Sequence, residues 1–127
     1  MSSFKIPDGH NRVMPYLIVK NANAFSNFMH VVFGAKEINR HMRDESTIMH
    51  GELKIGDSTI MFADATDKFS PRTAGMFIYV PNADETYNKA IEEGAVSIMA
   101  PADQPYGRSC GVTDPFDNVW WITSTLS

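Results

Sequence analysis

Cysteine is almost absent from this sequence: Cys110 is the single one in 127 residues. One thiol cannot close an intramolecular disulfide, so the chain reads as suited to a reducing, cytoplasmic interior. Positive charge is scarce too, with 11 Lys and Arg against 15 Asp and Glu and a formal net charge of −4. No basic cluster stands out, which removes the electrostatic footprint that DNA or RNA binding needs. No apolar run reaches the roughly 20 residues that cross a bilayer. The start, Met1-Ser2-Ser3-Phe4-Lys5-Ile6-Pro7, lacks the apolar stretch of a secretory signal. The expectation is a soluble, cytoplasmic protein whose partners are neither nucleic acid nor membrane.

What remains is an ordinary globular composition, 43% hydrophobic and 20% charged. The length suits one domain, 1–127, with its own core. Within it the sequence repeats itself. Val19-Lys20-Asn21-Ala22-Asn23 resembles Val80-Pro81-Asn82-Ala83-Asp84, where 82 − 21 gives an offset of 61. Gly34-Ala35 with Ile38 matches Gly94-Ala95 with Ile98, an offset of 60, and the pairs Gly51/Gly111 and Asp57/Asp117 keep that offset. Several matches in one order and at a nearly constant spacing point to a duplication, with modules at 12–64 and 74–125 joined by a polar connector at 65–73.

Each module reads as strand, helix and three strands. The apolar, β-branched run at 13–20 predicts a strand. Phe25, Phe28, Met29 and Val32 at helical spacing predict a helix over 23–33, capped by Asn21 or Asn23 and stopped at Gly34. Strands follow at 36–43, 48–55 and 58–63, the last two around a Gly56-Asp57 turn. The second module offers a strand at 76–80, a helix at 84–93, and strands at 95–100, 108–113 and 118–123. The stretch 101–107, with Pro101, Pro105 and Gly107, reads as a lid or pocket edge.

Two segments carry a wider resemblance. One runs Pro15-Tyr16-Leu17-Ile18-Val19, Val32-Phe33-Gly34-Ala35 and Met49-His50-Gly51-Glu52-Leu53-Lys54-Ile55-Gly56-Asp57-Ser58. The other runs Tyr106-Gly107-Arg108 and Gly111-Val112-Thr113-Asp114-Pro115-Phe116-Asp117-Asn118-Val119-Trp120-Trp121. With the tandem βαβββ pattern, they resemble the glyoxalase/bleomycin-resistance/extradiol-dioxygenase superfamily (vicinal oxygen chelate fold), in its PhnB-like branch. The resemblance implies an α+β fold in which curved mixed sheets form a cup around the ligand and helices cover the outer faces. It also implies a homodimer, often with sites built from both subunits.

Enzymes of that superfamily hold a divalent metal in the cup through His, Glu or Gln. By that resemblance the ligand positions fall at Met14, at Gly75 or Met76, at Met61 or Phe62, and at Ile122. None is a ligand for a hard or borderline metal, since Met sulfur prefers soft ions. A slip of one residue in the last strand finds only Trp120, Trp121 and Thr123. The expectation is no cofactor, with a divalent metal left possible only through other ligands.

Of the four histidines, His10 reads as a solvated residue of the N-terminal arm, His30 as a helix-surface residue and His41 as part of an exposed strand. His50 differs. Alternation places His50, Glu52 and Lys54 on one strand face, toward the cup, and Met49, Gly51, Leu53 and Ile55 under the helix. His50 and Glu52 could orient an imidazole as a general base or hold a metal with outside help, or they could form a plain polar patch. Tyr16 shares the face of Met14 and Ile18. Arg108, preceded by Tyr106, could clamp an anionic or carbonyl-bearing ligand, or pair with a surface aspartate. Trp120 is expected to face the pocket and Trp121 to pack on a helix. Cys110, at the repeat position of His50, reads as an inert buried thiol that could face the cup. The ligand-binding set is thus Tyr16, His50, Glu52, Tyr106, Arg108 and Trp120, with His50 and Glu52 as the catalytic candidates.

Three functions follow. The first is a metal-independent, small-molecule-binding dimer, in the manner of the superfamily's antibiotic-sequestering members. The second is a lyase or isomerase-like enzyme using His50 and Glu52, with or without a metal. The third is a structural dimer whose cup its own side chains fill.

Overall fold

The computed structural model describes residues 4–125; Met1-Ser2-Ser3 of the start lie outside them. The first half contributes β1 (Tyr16–Val19), α1 (Ala22–Phe33), β2 (Lys36–Met42), β3 (Ile48–Ile55) and β4 (Ser58–Asp64). The second contributes β5 (Gly75–Tyr79), α2 (Ala83–Glu92), β6 (Val96–Gln104), β7 (Gly107–Thr113) and β8 (Val119–Ser124). Each half is one mixed four-stranded sheet, ordered β1-β4-β3-β2 and β5-β8-β7-β6. In each, the first strand is parallel to the last and the other neighbours are antiparallel. This is the α+β, tandem βαβββ architecture.

Local chemistry sets the helix ends. Asn21 caps α1 through its side chain, which accepts from the Ala24 N–H at 3.2 Å, and Gly34 stops the helix at φ 69°. Asp64 adds a tie across the module. Its carboxylate accepts from the Ala22 N–H at 2.7 Å and the Ile48 N–H at 2.6 Å, joining the end of β4 to the starts of α1 and β3. Asp64 therefore closes a strand and helps position a helix. The exposed edge strand β2 carries Lys36, Glu37, Arg40 and His41, which discourages edge-to-edge pairing.

The helix-facing residues of both halves share one core. Leu17, Phe25, Met29, Leu53 and Phe62 from the first half join Ala90, Cys110, Val112, Trp120 and Ile122 from the second. Phe116, from the turn between β7 and β8, sets its ring edge-on against Phe25 and Phe28, at centroid distances of 5.5 and 6.0 Å. The aromatic pairing adds to the area buried.

In its strands and register, the structure departs from the sequence reading in three places. The stretch 101–107 is no lid: β6 runs to Gln104 and β7 begins at Gly107, so it is the end of a hairpin. Pro101, which has no N–H to donate, lies where the β6–β7 register slips, between Met99 and Ala102. Met49 is 50% exposed and does not pack under the helix. A register shift between His41 and Met42 opposite β3 sends Ile48 into the core in its place.

The third departure concerns the repeat. Gly51 pairs with Phe62 in the first sheet, whereas Cys110 pairs with Ile122 in the second, and 110 − 51 gives 59 instead of 60. The two-residue turn at Gly56-Asp57 is matched by a longer one at 114–118, which absorbs the difference. The structural counterpart of His50 is therefore Ser109. Cys110 points into the core, and none of its surface is exposed.

Candidate functional site

On the first sheet, the alternation that sends Leu17, Leu53 and Phe62 into the core turns Tyr16, His50, Glu52 and Met61 to the other face, away from α1. Cross-strand pairing sets them side by side: Tyr16 opposite Met61 on β1–β4, and Met61 opposite Glu52 on β4–β3. A chain of hydrogen bonds links the polar members. The Tyr16 Oη lies 3.0 Å from His50 Nδ1, with the two ring centroids 5.5 Å apart. His50 Nε2 lies 2.8 Å from Glu52 Oε2. The other carboxylate oxygen, Oε1, is 2.9 Å from His10 Nε2.

Glu52 is only 6% exposed, yet its carboxyl is held below the ordinary carboxylate range. The hydrogen bonds from His50 and then His10 outweigh the desolvation that pushes the other way. An ionised carboxylate can only accept, so both Nε2 atoms carry protons. In the neutral tautomer with its proton on Nε2, His50 keeps a lone pair on Nδ1, and the Tyr16 O–H donates to it. The network has a direction: phenol to imidazole to carboxylate.

His10 corrects the sequence reading, because it is bonded to Glu52 and not simply solvated. The N-terminal arm is pinned to this face. The Thr59 hydroxyl donates to the Gly9 carbonyl, and the Thr59 N–H donates to Asn11 Oδ1 at 3.0 Å. Asn11 Nδ2 in turn donates to the Asp57 carbonyl at 3.3 Å. Nothing periodic marks residues 7–12. Only the fold shows that Gly9-His10-Asn11 reaches a strand more than 40 residues away. His30 donates its Nδ1–H to the Ala35 carbonyl at 2.9 Å and closes the end of α1, so it is tied up locally.

The second sheet receives the remaining candidates, and two of them change role. Trp120 does not face the cup. It is 1% exposed, stacks on Phe33 at a centroid distance of 4.6 Å, and donates through Nε1 to Asp114 Oδ2 at 2.8 Å. Because adjacent strand residues point to opposite faces, Trp121 is the one turned outward, at 37% exposure. Trp120 also edges a cleft of about 610 Å³ between the halves, together with Val13, Ile60, Met76 and Ile78.

Arg108 is occupied elsewhere. Its Nε and Nη2 donate to the two oxygens of Asp84 at 2.9 and 3.1 Å, and Nη1 donates to Asp103 at 3.2 Å. These bonds hold the guanidinium charged and push the Asp84 carboxyl down. The surface-aspartate alternative describes it. Tyr106 lies in the β6–β7 turn, its ring 6.4 Å from that of Phe77. With Tyr79 and Trp121 it makes an aromatic face on the second sheet, on which Phe77 is 50% and Tyr79 65% exposed.

The donor set at the superfamily's metal positions can be checked side chain by side chain. Phe62, Trp120 and Ile122 are core residues, so the outward-facing positions are Met61 and, 60 residues on, Trp121. With Met14 and Gly75 they supply thioethers, an indole and no side chain at all. That set does not fit a hard or borderline divalent metal. Among the described residues, no group of three or more His, Cys, Asp and Glu side chains is disposed to hold a metal ion. Nor, among them, is any helix long and apolar enough to cross a membrane.

Comparison with known proteins agrees with this architecture. The model of the Glyoxalase/Bleomycin resistance protein/Dioxygenase superfamily matches residues 9–122. An uncharacterized protein of Mycobacterium tuberculosis is 27% identical over 118 residues, which cover 84% of this chain and 69% of that one. The PhnB protein from Bacillus cereus superposes with a TM-score of 0.73 at 15% identity, over 91% of this chain and 100% of the other. TnmS3, an antibiotic binding protein from Streptomyces sp. CB03234, superposes at 0.69 and 16% identity, over 92% and 100%. The chain belongs to the glyoxalase/bleomycin resistance/dioxygenase superfamily.

Proposed function

We propose that this member of the superfamily is a metal-independent, homodimeric binding protein for a small, partly apolar molecule. The observation that carries the reading is the face around Tyr16, His50 and Glu52. Polar groups already satisfied by one another sit there beside Met61, a thioether at one of the superfamily's metal positions. A few fixed polar anchors on an apolar wall are what a small-molecule site requires. The antibiotic-binding neighbour TnmS3 shares the fold, which makes sequestration a natural use of such a face.

The dimer is supported by the second sheet. Phe77, Tyr79, Tyr106 and Trp121 form an exposed aromatic patch larger than scattered surface residues would give. A second copy covering that patch would bring aromatic walls to the Tyr16–His50 face. The alternative, a lyase or isomerase-like enzyme using His50 and Glu52, is favoured by one observation: the Tyr16 Oη lies within hydrogen-bond distance, 3.0 Å, of His50 Nδ1.

The binding reading is tested by a thermal-shift screen of small aromatic and amphiphilic compounds. A binder should raise the melting temperature of the wild type equally with and without EDTA, and lose its effect in Glu52→Gln. Shifts that vanish with EDTA would contradict metal independence.

A further inference from the structure

We propose that Tyr16 is an activated phenol, a nucleophile primed by His50 and Glu52 toward an uncharged carbonyl compound that bears a leaving group, such as an ester, bound on the first sheet. The inference rests on the reading that this face takes a small molecule, and adds what the face does to it.

Three groups form one line, with Tyr16 Oη 3.0 Å from His50 Nδ1 and His50 Nε2 2.8 Å from Glu52. This is the general pattern of an activated nucleophile: a hydroxyl beside a base that a third group orients. The carboxylate is nearly buried while Tyr16 is 47% exposed, so the reactive end is open and the supporting end is shielded. His10 occupies the second oxygen of Glu52 and keeps the carboxylate from turning away from His50. A phenol held only for packing would need neither a base on its hydroxyl nor an ion behind that base.

In the step this permits, the Tyr16 oxygen bonds to the carbonyl carbon while its proton passes to His50 Nδ1. Glu52 stabilises the imidazolium that results, as an ion pair across 2.8 Å. Collapse of the adduct breaks the bond to the leaving group, which takes the proton from Nδ1 and departs, and the acyl group stays as an ester on the Tyr16 oxygen. No electrons are gained or lost. The ligand is placed as uncharged because the fixed negative charge of Glu52 lies behind the site and repels anions.

The test uses the full-length protein and p-nitrophenyl acetate as the probe, with acetylated tyrosines located by peptide mass spectrometry. N-acetyltyrosine amide in the same buffer supplies the unactivated rate. A positioned base typically contributes about 100-fold or more, so Tyr16 should be acetylated at least ~10-fold faster than the free amide after allowance for partial shielding. His50→Gln should bring Tyr16 to or below the free rate, and Glu52→Gln should lower it in between, with circular dichroism confirming that both variants are folded. Acetylation of Tyr16 no faster than the free amide would overturn the proposal. So would a fast rate that survives in His50→Gln. Either result would leave ligand binding, read by the thermal shifts, intact, so the two readings fail separately.

Discussion

At the scale of single residues, Glu52 bears the most consequence, since one carboxylate organises His10, His50 and through it Tyr16. Its carboxyl is held below the ordinary range in the folded protein. Its contribution to stability is therefore full above the unfolded pKa, near 4.5, and lost as pH falls through the lower folded value. Glu52→Gln should be destabilised relative to the wild type at pH 7, by about 1–3 kcal/mol for a disrupted buried acceptor. The gap should narrow as pH falls toward 3, as the wild-type carboxyl becomes progressively protonated. Chemical denaturation at the two pH values checks this. Cys110 makes the opposite case. Burial pushes its thiol up to about 11, and no base activates it. Ellman's reagent should leave it unmodified in the native protein and react at once in denaturant.

At the scale of elements, two glycines repeat in sequence but do different jobs. A Cβ on Gly51 would come within 2.4 Å of the Phe62 ring, and one on Gly111 within 2.4 Å of the Trp121 ring. Phe62 is fully buried in the core, so it has nowhere to go, whereas Trp121 is partly exposed and can swing out. Gly51→Ala should therefore cost more than Gly111→Ala, about 1–3 kcal/mol for overpacking against well under that. Urea denaturation of the two variants measures the difference.

The same pair shows how far the sequence could be read. Strands, helices and caps were legible because periodicity and Asn–Gly punctuation are local signals. Which face a distant strand presents depends on a single residue of turn length, and that residue put Cys110 in the core and Gly111 on the open face. Tyr16, His50 and Glu52 were legible together because alternation along β1 and β3 already placed them. His10 was not, because its partner is set by the path of an irregular arm. Arg108 stays open in the sequence between a ligand clamp and a surface ion pair, because a guanidinium looks the same whether its carboxylates are its own or a ligand's; Asp84 and Asp103 become visible as partners only once α2 and β6 are folded against β7.

At the scale of the whole molecule, the helix-facing sides of both sheets share one core, and the aromatic face of the second sheet is left uncovered within the chain. If a second copy covers it, Phe77→Glu should place a charge in that interface and shift the protein from dimer to monomer in analytical ultracentrifugation. A wild type that sediments as a monomer would contradict the shared site. The most direct measurement of the central claim is native mass spectrometry of the purified wild-type protein, before and after dialysis against EDTA. The expected result is a dimer mass with no stoichiometric metal, identical in both samples. A stoichiometric zinc, manganese, nickel or iron ion removed by EDTA would contradict it.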